Sequence, residues 1–382
     1  MKRLESLDVL RGMDMFMILC AGWSPLIFLC EAFGMPDCWL VAQCHHAKWG
    51  AGVTIIDLVF PTFLFIAGVT FPYSLARQRE KGASSWSIVT KVLRRVVLLF
   101  LLGMFYNHAP TAQPLTESRV LSFDFLHPAI ATSWSVIGRI GIAWGVAALI
   151  WYAGGRRAAV WSAAGFIVGW WAICRFIPNP NAAPGVDTMA ASANYIGRWL
   201  DANCLAFAGR SSHGATATLG MVPTAIFGML AGDFLRTSDW SGNRKTLALF
   251  AAGAAGIIVS LAWEALPLPL AMPRIKSCWT SSYAFFAGGI SAIALALVYW
   301  IVDVREWKRW GFFFKVIGVN PLTIYLLSWT VLKWEYEKEY FFGELLTRFP
   351  GPVMNCIAEW GTVGLFWLLL YYMYRKSIFL RV

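Results

Sequence analysis

The residues best suited to carry out chemistry stand in one short segment of the chain. The sequence QCHHAKWGAGVTIIDLVFP, residues 43–61, places two adjacent histidines, a lysine and a tryptophan before an apolar run that contains an aspartate, Asp57. A histidine at the mouth of a cavity can accept a proton from an incoming nucleophile, because its charge changes near neutral pH. His46 is therefore a candidate catalytic residue. The alternative is that His45 and His46 are a solvent-exposed pair at an interface.

Asp57 is the second candidate catalytic residue, and it needs a partner because an ionised side chain at mid-bilayer costs about 2.5–3.5 kcal/mol. It follows His46 by eleven residues, which would separate the two by about 16 Å in a continuous helix. The sequence predicts a direct contact only if the Gly-Ala-Gly segment 50–52 turns the chain back. Otherwise a cation from another helix, Arg139 or Arg11, is the expected partner.

Several further ionisable residues stand inside apolar runs or at their ends. They are Asp14, Asp233, Glu264 and Glu359. Each could form an interhelical salt bridge that fixes packing, or several of them could mark one polar cavity. The grouping of His46, Trp49 and Asp57 on a single segment favours a site.

The elements that position these residues are predicted to be membrane helices. The 382 residues are 58% apolar and 14% charged, whereas about 25% of an ordinary soluble domain is charged. We therefore predict an all-α polytopic membrane protein, a single domain over residues 1–382 with ten transmembrane helices in one bundle around a polar central cavity. Apolar windows of sufficient length lie near residues 13–33, 51–75, 90–106, 131–152, 157–177, 219–235, 246–266, 280–302, 311–332 and 353–374.

The distribution of charge predicts the orientation of the chain. With the amino terminus inside, the inner loops hold roughly twice as many Lys and Arg residues as the longer outer loops. Both termini are therefore expected on the cytoplasmic side. The net charge of +11 is accounted for by topology and contact with anionic lipids, so no nucleic-acid partner is expected. No CxxC spacing occurs, and no metal site is predicted.

Six segments, in order, resemble heparan-alpha-glucosaminide N-acetyltransferase and its bacterial relatives, in particular a branch whose first helix reads LDxLRGxDMF. They are RLESLDVLRGMDMF at 3–16, HHAKWGAGVTIIDLVFPTFLFIAGVTFPYSL at 45–75, VIGRIGIAW at 136–144, HGATATLGMVPTAIFGMLAGDFL at 213–235, IKSCWTSSYAF at 275–285 and FFKVIGVNPLTIY at 313–325. Two positions depart from the family pattern. One extra residue separates Trp49 from Asp57, and Gly22 stands where the lysosomal enzyme has an asparagine.

The resemblance implies an acetyltransferase in the bacterial inner membrane. Cytoplasmic acetyl-CoA would donate an acetyl group to an amino sugar or related glycan on the other side. Partners would be donor, acceptor, membrane lipids and a second copy of the chain in a homodimer. The resemblance implies a catalytic role for His46 and Asp57, and it aligns Asp8, Arg11 and Arg139 with family positions that we assign to donor binding. Arg94 and Arg95 join them because inner-face cations could meet the phosphates of the donor. Trp49, His45 and Asn320 are the candidates for binding the acceptor.

Two mechanisms and two other classes of protein remain open from the sequence. His46 could deprotonate the acceptor directly or carry the acetyl group itself. The buried charges would also suit a proton-coupled transporter or flippase for a sugar-type substrate, in which Asp57, Glu264 and Arg139 would be relay or substrate groups. A scaffold protein would fit the Trp-rich interface but would leave the buried charges unexplained.

Overall fold

The structure, a computed structural model, describes residues 4–18, 24–35, 37–108, 135–204, 214–326, 334–349 and 351–380. Every regular element among these residues is a helix. In chain order the helices are α1 (Glu5–Ile18), α2 (Ser24–Ala32), α3 (Trp39–Gln43), α4 (Ile55–Glu80), α5 (Ser85–His108), α6 (Val136–Phe176), α7 (Ile196–Asn203), α8 (Thr218–Thr237), α9 (Gly242–Glu264), α10 (Ser281–Tyr299), α11 (Phe312–Gly318), α12 (Pro321–Leu326), α13 (Trp334–Arg348) and α14 (Pro352–Arg375).

Six helices of the described chain are long and apolar enough to cross a membrane. They are α4, α6, α8, α9, α10 with its π-helical extension Trp300–Val304, and α14. Their length and composition make the chain an integral membrane protein. The predicted spans at 51–75, 219–235, 246–266, 280–302 and 353–374 coincide with five of them.

Other predicted spans are interrupted or extend beyond the described residues. The windows 131–152 and 157–177 form one 41-residue helix, α6, which is broken at Gly155 (φ 63°, ψ −153°). The window 311–332 is divided into α11 and α12 by the Asn320–Pro321 step, and residues 327–333 lie outside the described part. The window 13–33 contains the end of α1 and all of α2, with residues 19–23 undescribed between them. Helix α5 contains the window 90–106.

Helix α4 lies at the centre of the fold and packs against α8 through glycine. A methyl group added to Gly68 of α4 would lie 2.2 Å from the carbonyl oxygen of Ala225, and one added to Gly228 of α8 would lie 2.0 Å from that of Phe65. The two backbones therefore touch. Such close approach lets membrane helices gain dispersion energy where the hydrophobic effect cannot drive them together. This contact fixes the position of α4 and therefore of the residues at both of its ends.

We expect Gly228→Ala to destabilise the protein, because the added methyl group must push α4 away from α8. Overpacking of this kind costs about 1–3 kcal/mol, which should lower the thermal midpoint of the detergent-purified protein. Gly165→Ala is the matched control, since no heavy atom lies within 4 Å of the position its methyl group would occupy. Equal midpoints for the two variants would show that α4 and α8 are not in contact.

Candidate active site

The segment before α4 reverses direction and returns His46 to the start of the helix. Gly50 and Gly52 have φ angles of 75° and 90°, in the left-handed region that glycine adopts without steric cost. The hydroxyl oxygen of Thr54 then lies 2.9 Å from the carbonyl oxygen of His45. The Gly-Ala-Gly segment thus supplies the chain reversal on which a contact between His46 and Asp57 depends.

Asp57 stabilises the first turn of α4 and also holds the preceding segment. Its Oδ2 accepts hydrogen bonds from the backbone N–H of Thr54 (3.2 Å), the hydroxyl group of Thr54 (2.9 Å) and the backbone N–H of Ala47 (3.2 Å). A carboxylate at this position satisfies N–H groups that have no partner inside the helix, and it is favoured by the helix dipole. The backbone carbonyl oxygen of Asp57 accepts a hydrogen bond of 2.5 Å from the hydroxyl group of Tyr283 on α10.

The other carboxylate oxygen joins two side chains. Oδ1 of Asp57 lies 2.8 Å from Nδ1 of His46 and 3.2 Å from Nζ of Lys276. Nζ of Lys276 also lies 3.0 Å from Nδ1 of His46. A protonated Nδ1 would donate to Oδ1 of Asp57, whereas an unprotonated Nδ1 would accept from Nζ of Lys276. The shorter distance, from Nδ1 to Oδ1, favours the protonated Nδ1. In this tautomer Nε2 carries the lone pair of His46, which makes it the atom able to attack a carbonyl or accept a proton.

The expectation that Arg139 or Arg11 would be the partner of Asp57 is wrong. The helical separation of about 16 Å does not apply, because residues 46–54 are outside any helix. The cation beside Asp57 is Lys276, which precedes α10. Lys276 belongs to the segment IKSCWTSSYAF, which the family resemblance includes.

Lys276 is positioned by a rigid connection between α9 and α10. The hydroxyl group of Thr280 accepts hydrogen bonds from the backbone N–H groups of Ile275 (3.1 Å) and Tyr283 (3.3 Å), and it donates to the carbonyl oxygen of Pro273 (2.8 Å). The Lys276 side chain is 11% exposed. Burial lowers the pKa of Lys276, and the carboxylate of Asp57 opposes that shift.

A cavity of about 530 Å³ extends from this group into the bundle. This volume is within the range of about 300–1,000 Å³ that is usual for sites of small molecules. Most of its walls are apolar, and its cationic and polar side chains lie at different levels along α4. The cavity is lined by Arg11, Met15, Ile18, His46, Ile56, Val59, Phe60, Phe63, Ala67, Thr70, Arg95, Leu99, Val136, Ile137, Ile140, Trp144, Lys276, Val319, Pro321, Leu322, Tyr325 and Leu380.

Two arginines lie at the end of the cavity opposite His46 and Lys276. The guanidinium carbon of Arg95 is 4.3 Å from the centre of the Trp144 ring, and the indole N–H of Trp144 donates to the carbonyl oxygen of Ala67 at 3.1 Å. Nε of Arg95 is buried without a hydrogen-bond partner among the described residues. From Ile56 to Thr70 the cavity follows α4 for about 21 Å at 1.5 Å per residue, so its two cationic ends are separated by most of a membrane thickness.

The other residues predicted to bind the donor occupy different places. Arg11 lines the cavity, and its Nη1 lies 3.4 Å both from Oδ1 of the buried Asp8 and from the carbonyl oxygen of Gly318. Arg139 is buried at the level of Phe60, 5.9 Å from the centre of that ring and therefore near the His46 end. Arg94 is exposed and is not part of the cavity wall just described.

The residues predicted to contact the acceptor lie around the His46 end of the cavity or behind its wall. The side chain of Trp49 donates to the carbonyl oxygen of Met189 at 2.9 Å and packs on Tyr195. His45 is exposed. Asn320 is fully buried, and its amide group holds the carboxyl-terminal segment through Ile378 O (3.0 Å) and Leu380 N (3.1 Å). Asn320 thereby fixes Leu380 in the cavity wall.

The other ionisable residues of the apolar runs, Asp14, Asp233, Glu264 and Glu359, do not line this cavity. Glu264 pairs with Arg274 at 2.6 Å, and Asp233 pairs with Arg236 at 3.1 Å. Asp14 is buried, and its Oδ2 has no hydrogen-bond partner among the described residues. Gly22, which departs from the family pattern, lies outside the described residues.

Comparison with known proteins supports a related family of membrane enzymes. Residues 3–125 match a family described as a domain of unknown function, DUF5009. The whole chain aligns with heparan-alpha-glucosaminide N-acetyltransferase of Mus musculus at 22% identity over 424 residues, and with that of Homo sapiens at 23% over 430 residues. The chain spans about 60% of the length of each relative. These relatives are acetyltransferases by name, and this chain shares with them a weak similarity over all of its own length.

We expect Asp57→Asn to destabilise the protein, because it removes the charge that compensates Lys276. Loss of one member of a buried ion pair costs about 3–5 kcal/mol. The double variant Asp57→Asn with Lys276→Met should recover much of the loss, since no uncompensated charge then remains. Thermal unfolding of the single and double variants in detergent measures this coupling. Glu264→Gln, which breaks the more exposed pair with Arg274, should lower the free energy of unfolding far less. If the losses caused by Asp57→Asn and by Lys276→Met are additive in the double variant, the pairing is contradicted.

Proposed function

We propose that this protein transfers an acetyl group across the membrane, from acetyl-CoA on the cytoplasmic side to an amino sugar or related glycan on the opposite side. One observation carries the proposal: a single cavity connects two arginines to a histidine that is oriented by a carboxylate. The similarity to named acetyltransferases supports the same reaction class. The donor needs cations for its phosphates, and the reaction needs a base or nucleophile.

The arginine end of the cavity would receive the donor. Arg11 and Arg95 can form charge-assisted hydrogen bonds to the phosphate groups of CoA, and the buried Nε of Arg95 is a donor that still requires an acceptor. The acyl-pantetheine arm is linear and largely uncharged, which suits the apolar middle of the cavity. The excess of Lys and Arg in the predicted inner loops supports a cytoplasmic location for this end and for both termini.

The chemistry would take place at Nε2 of His46. In direct transfer, Nε2 takes a proton from the acceptor amine while the amine nitrogen bonds to the thioester carbon and the C–S bond breaks. In the two-step route, Nε2 attacks the thioester carbon itself and the CoA thiolate leaves. The amine nitrogen then bonds to the acetyl carbon, the bond between that carbon and Nε2 breaks, and the freed Nε2 takes the proton of the amine. In both routes Asp57 holds the imidazole in the Nδ1-protonated tautomer, so that the lone pair stays on Nε2.

The acceptor would lie at the His46 end, beside the outer segments. His45 is exposed there, and Trp49 is held against Tyr195 and Met189, where an aromatic surface could face a sugar ring. Asn320 would affect acceptor binding indirectly, because it holds Leu380 in the cavity wall.

We propose that the chain crosses a bacterial inner membrane ten times, with α6 counted as two crossings divided at Gly155. We also propose a homodimer as the assembly to test.

Replacement of His46 by alanine should abolish acetyl transfer while acetyl-CoA binding is retained. General base catalysis alone contributes about 10²–10⁴-fold, and a 59% exposed side chain adds little packing. We would measure transfer from radiolabelled acetyl-CoA to glucosamine-type acceptors, together with the thermal shift that acetyl-CoA produces.

Lys48→Ala is the control for that experiment, since Lys48 is an exposed residue of the same segment. It should transfer at the unmutated rate, and His45→Ala should lose far less activity than His46→Ala. Unmutated transfer by His46→Ala would refute the catalytic role. If the unmutated protein binds no acetyl-CoA and moves a sugar across vesicle membranes, the transporter interpretation replaces ours.

Removal of the Arg95 guanidinium group should weaken acetyl-CoA binding. A hydrogen bond to a charged group contributes about 1.5–3 kcal/mol, so the dissociation constant should rise about tenfold or more in Arg95→Ala. Arg94→Ala should have a smaller effect because its side chain is exposed and does not line the cavity. Arg156→Ala, at an exposed position beside the break in α6, should have none. Calorimetric titration with acetyl-CoA compares the three. Equal affinities for Arg95→Ala and Arg156→Ala would remove the phosphate-binding role of Arg95.

A further inference from the structure

Lys276 touches both members of the His46–Asp57 pair. Its Nζ lies 3.2 Å from Oδ1 of Asp57 and 3.0 Å from Nδ1 of His46. The Asp57 side chain is 2% exposed, whereas that of His46 is 59% exposed. The carboxylate is therefore the most buried member of the group, since the Lys276 side chain is 11% exposed, and it requires a compensating positive charge.

We infer that Lys276 supplies this charge so that His46 can remain a neutral imidazole with its proton on Nδ1. In this arrangement Lys276 is a positioning residue that acts through His46. It satisfies the carboxylate as a full cation, and it repels a second positive charge on the adjacent ring. A neutral His46 is the form that can accept a proton or attack a carbonyl at Nε2. The inference rests on the proposed function only for its activity measurement.

The other groups that face this site cannot replace Lys276. On α4 and the preceding loop, Ala47 and Thr54 contribute neutral donors to Oδ2 of Asp57. On α10, the Tyr283 hydroxyl donates to the backbone of Asp57 and leaves its carboxylate untouched.

On α6, Arg139 is a second cation near Lys276, but its Nε donates to the carbonyl oxygen of Ser135, and its own surroundings include Asp201 of α7 and Tyr325 of α12. His45 is exposed beside His46. Without Lys276, protonation of His46 is the remaining way to place a cation against the carboxylate of Asp57.

The first measurement is the pH dependence of acetyl transfer. In Lys276→Met and Lys276→Gln we expect the acid limb of the rate profile to move to higher pH by about 1–3 units, the shift that one charge at contact distance produces. Activity should therefore recover as the pH is raised. Lys276→Arg should keep a profile close to that of the unmutated protein. A loss of rate by the same factor at every pH would overturn the inference and point to contact between Lys276 and the thioester, or to a structural role.

The second measurement does not require activity. Diethyl pyrocarbonate acylates neutral imidazole and spares imidazolium, so the pH midpoint of its reaction with His46, resolved from His45 by tandem mass spectrometry, reports the charge of His46. This midpoint should rise in Lys276→Met and Lys276→Gln, while that of His45 stays constant. Arg274→Met is the matched control, because it removes a cation from the same loop that pairs with Glu264 instead. An unchanged His46 midpoint would refute the inference even if acetyl transfer is confirmed, and a raised midpoint would support it even if no transfer is found.

Discussion

The carboxylate of Asp57 is the interaction on which the arrangement of the site depends. It starts α4, fixes the loop that carries His46, and requires a lysine from the connection between α9 and α10. Loss of the partner of a buried charge destabilises a protein strongly, whereas the residues around a changed apolar contact can relax. The position of one carboxylate therefore couples three segments of the chain. The backbone contact of Tyr283 adds α10 to the same group.

Residue types and spacing predicted the helices and singled out two residues that the structure brings together. The apolar windows located most of the helices, because a bilayer demands helices of known length. His46 and Asp57 were predicted from their chemistry and from the family resemblance. Their direct contact depended on the φ angles of Gly50 and Gly52, which sequence leaves open because glycine adopts either sign at little cost.

The parts that sequence could not predict are contacts between distant segments. Lys276 meets His46 only because α10 packs beside α4, and nothing in the local pattern of IKSCWT distinguishes such a lysine from a solvated one. The same applies to Arg94 and Arg95, adjacent residues of which one lines the cavity and the other is exposed. Helix periodicity separates such neighbours only after the orientation of the helix is known. The break at Gly155 and the role of Asn320 as an anchor for Leu380 likewise depend on tertiary structure.

The apolar middle of the cavity also has an electrical consequence. Between the two cationic ends, the side chains of Val59, Phe63, Leu99, Ile137 and Ile140 line the path. An ion would lose its hydration among these apolar side chains, and the cations at each end would repel metal ions and protons. If the cavity holds the uncharged arm of the donor, as we propose, it would still oppose the movement of ions. A membrane that holds this protein could keep its potential of about 2.3 kcal/mol per charge for each 100 mV while the cavity is in use.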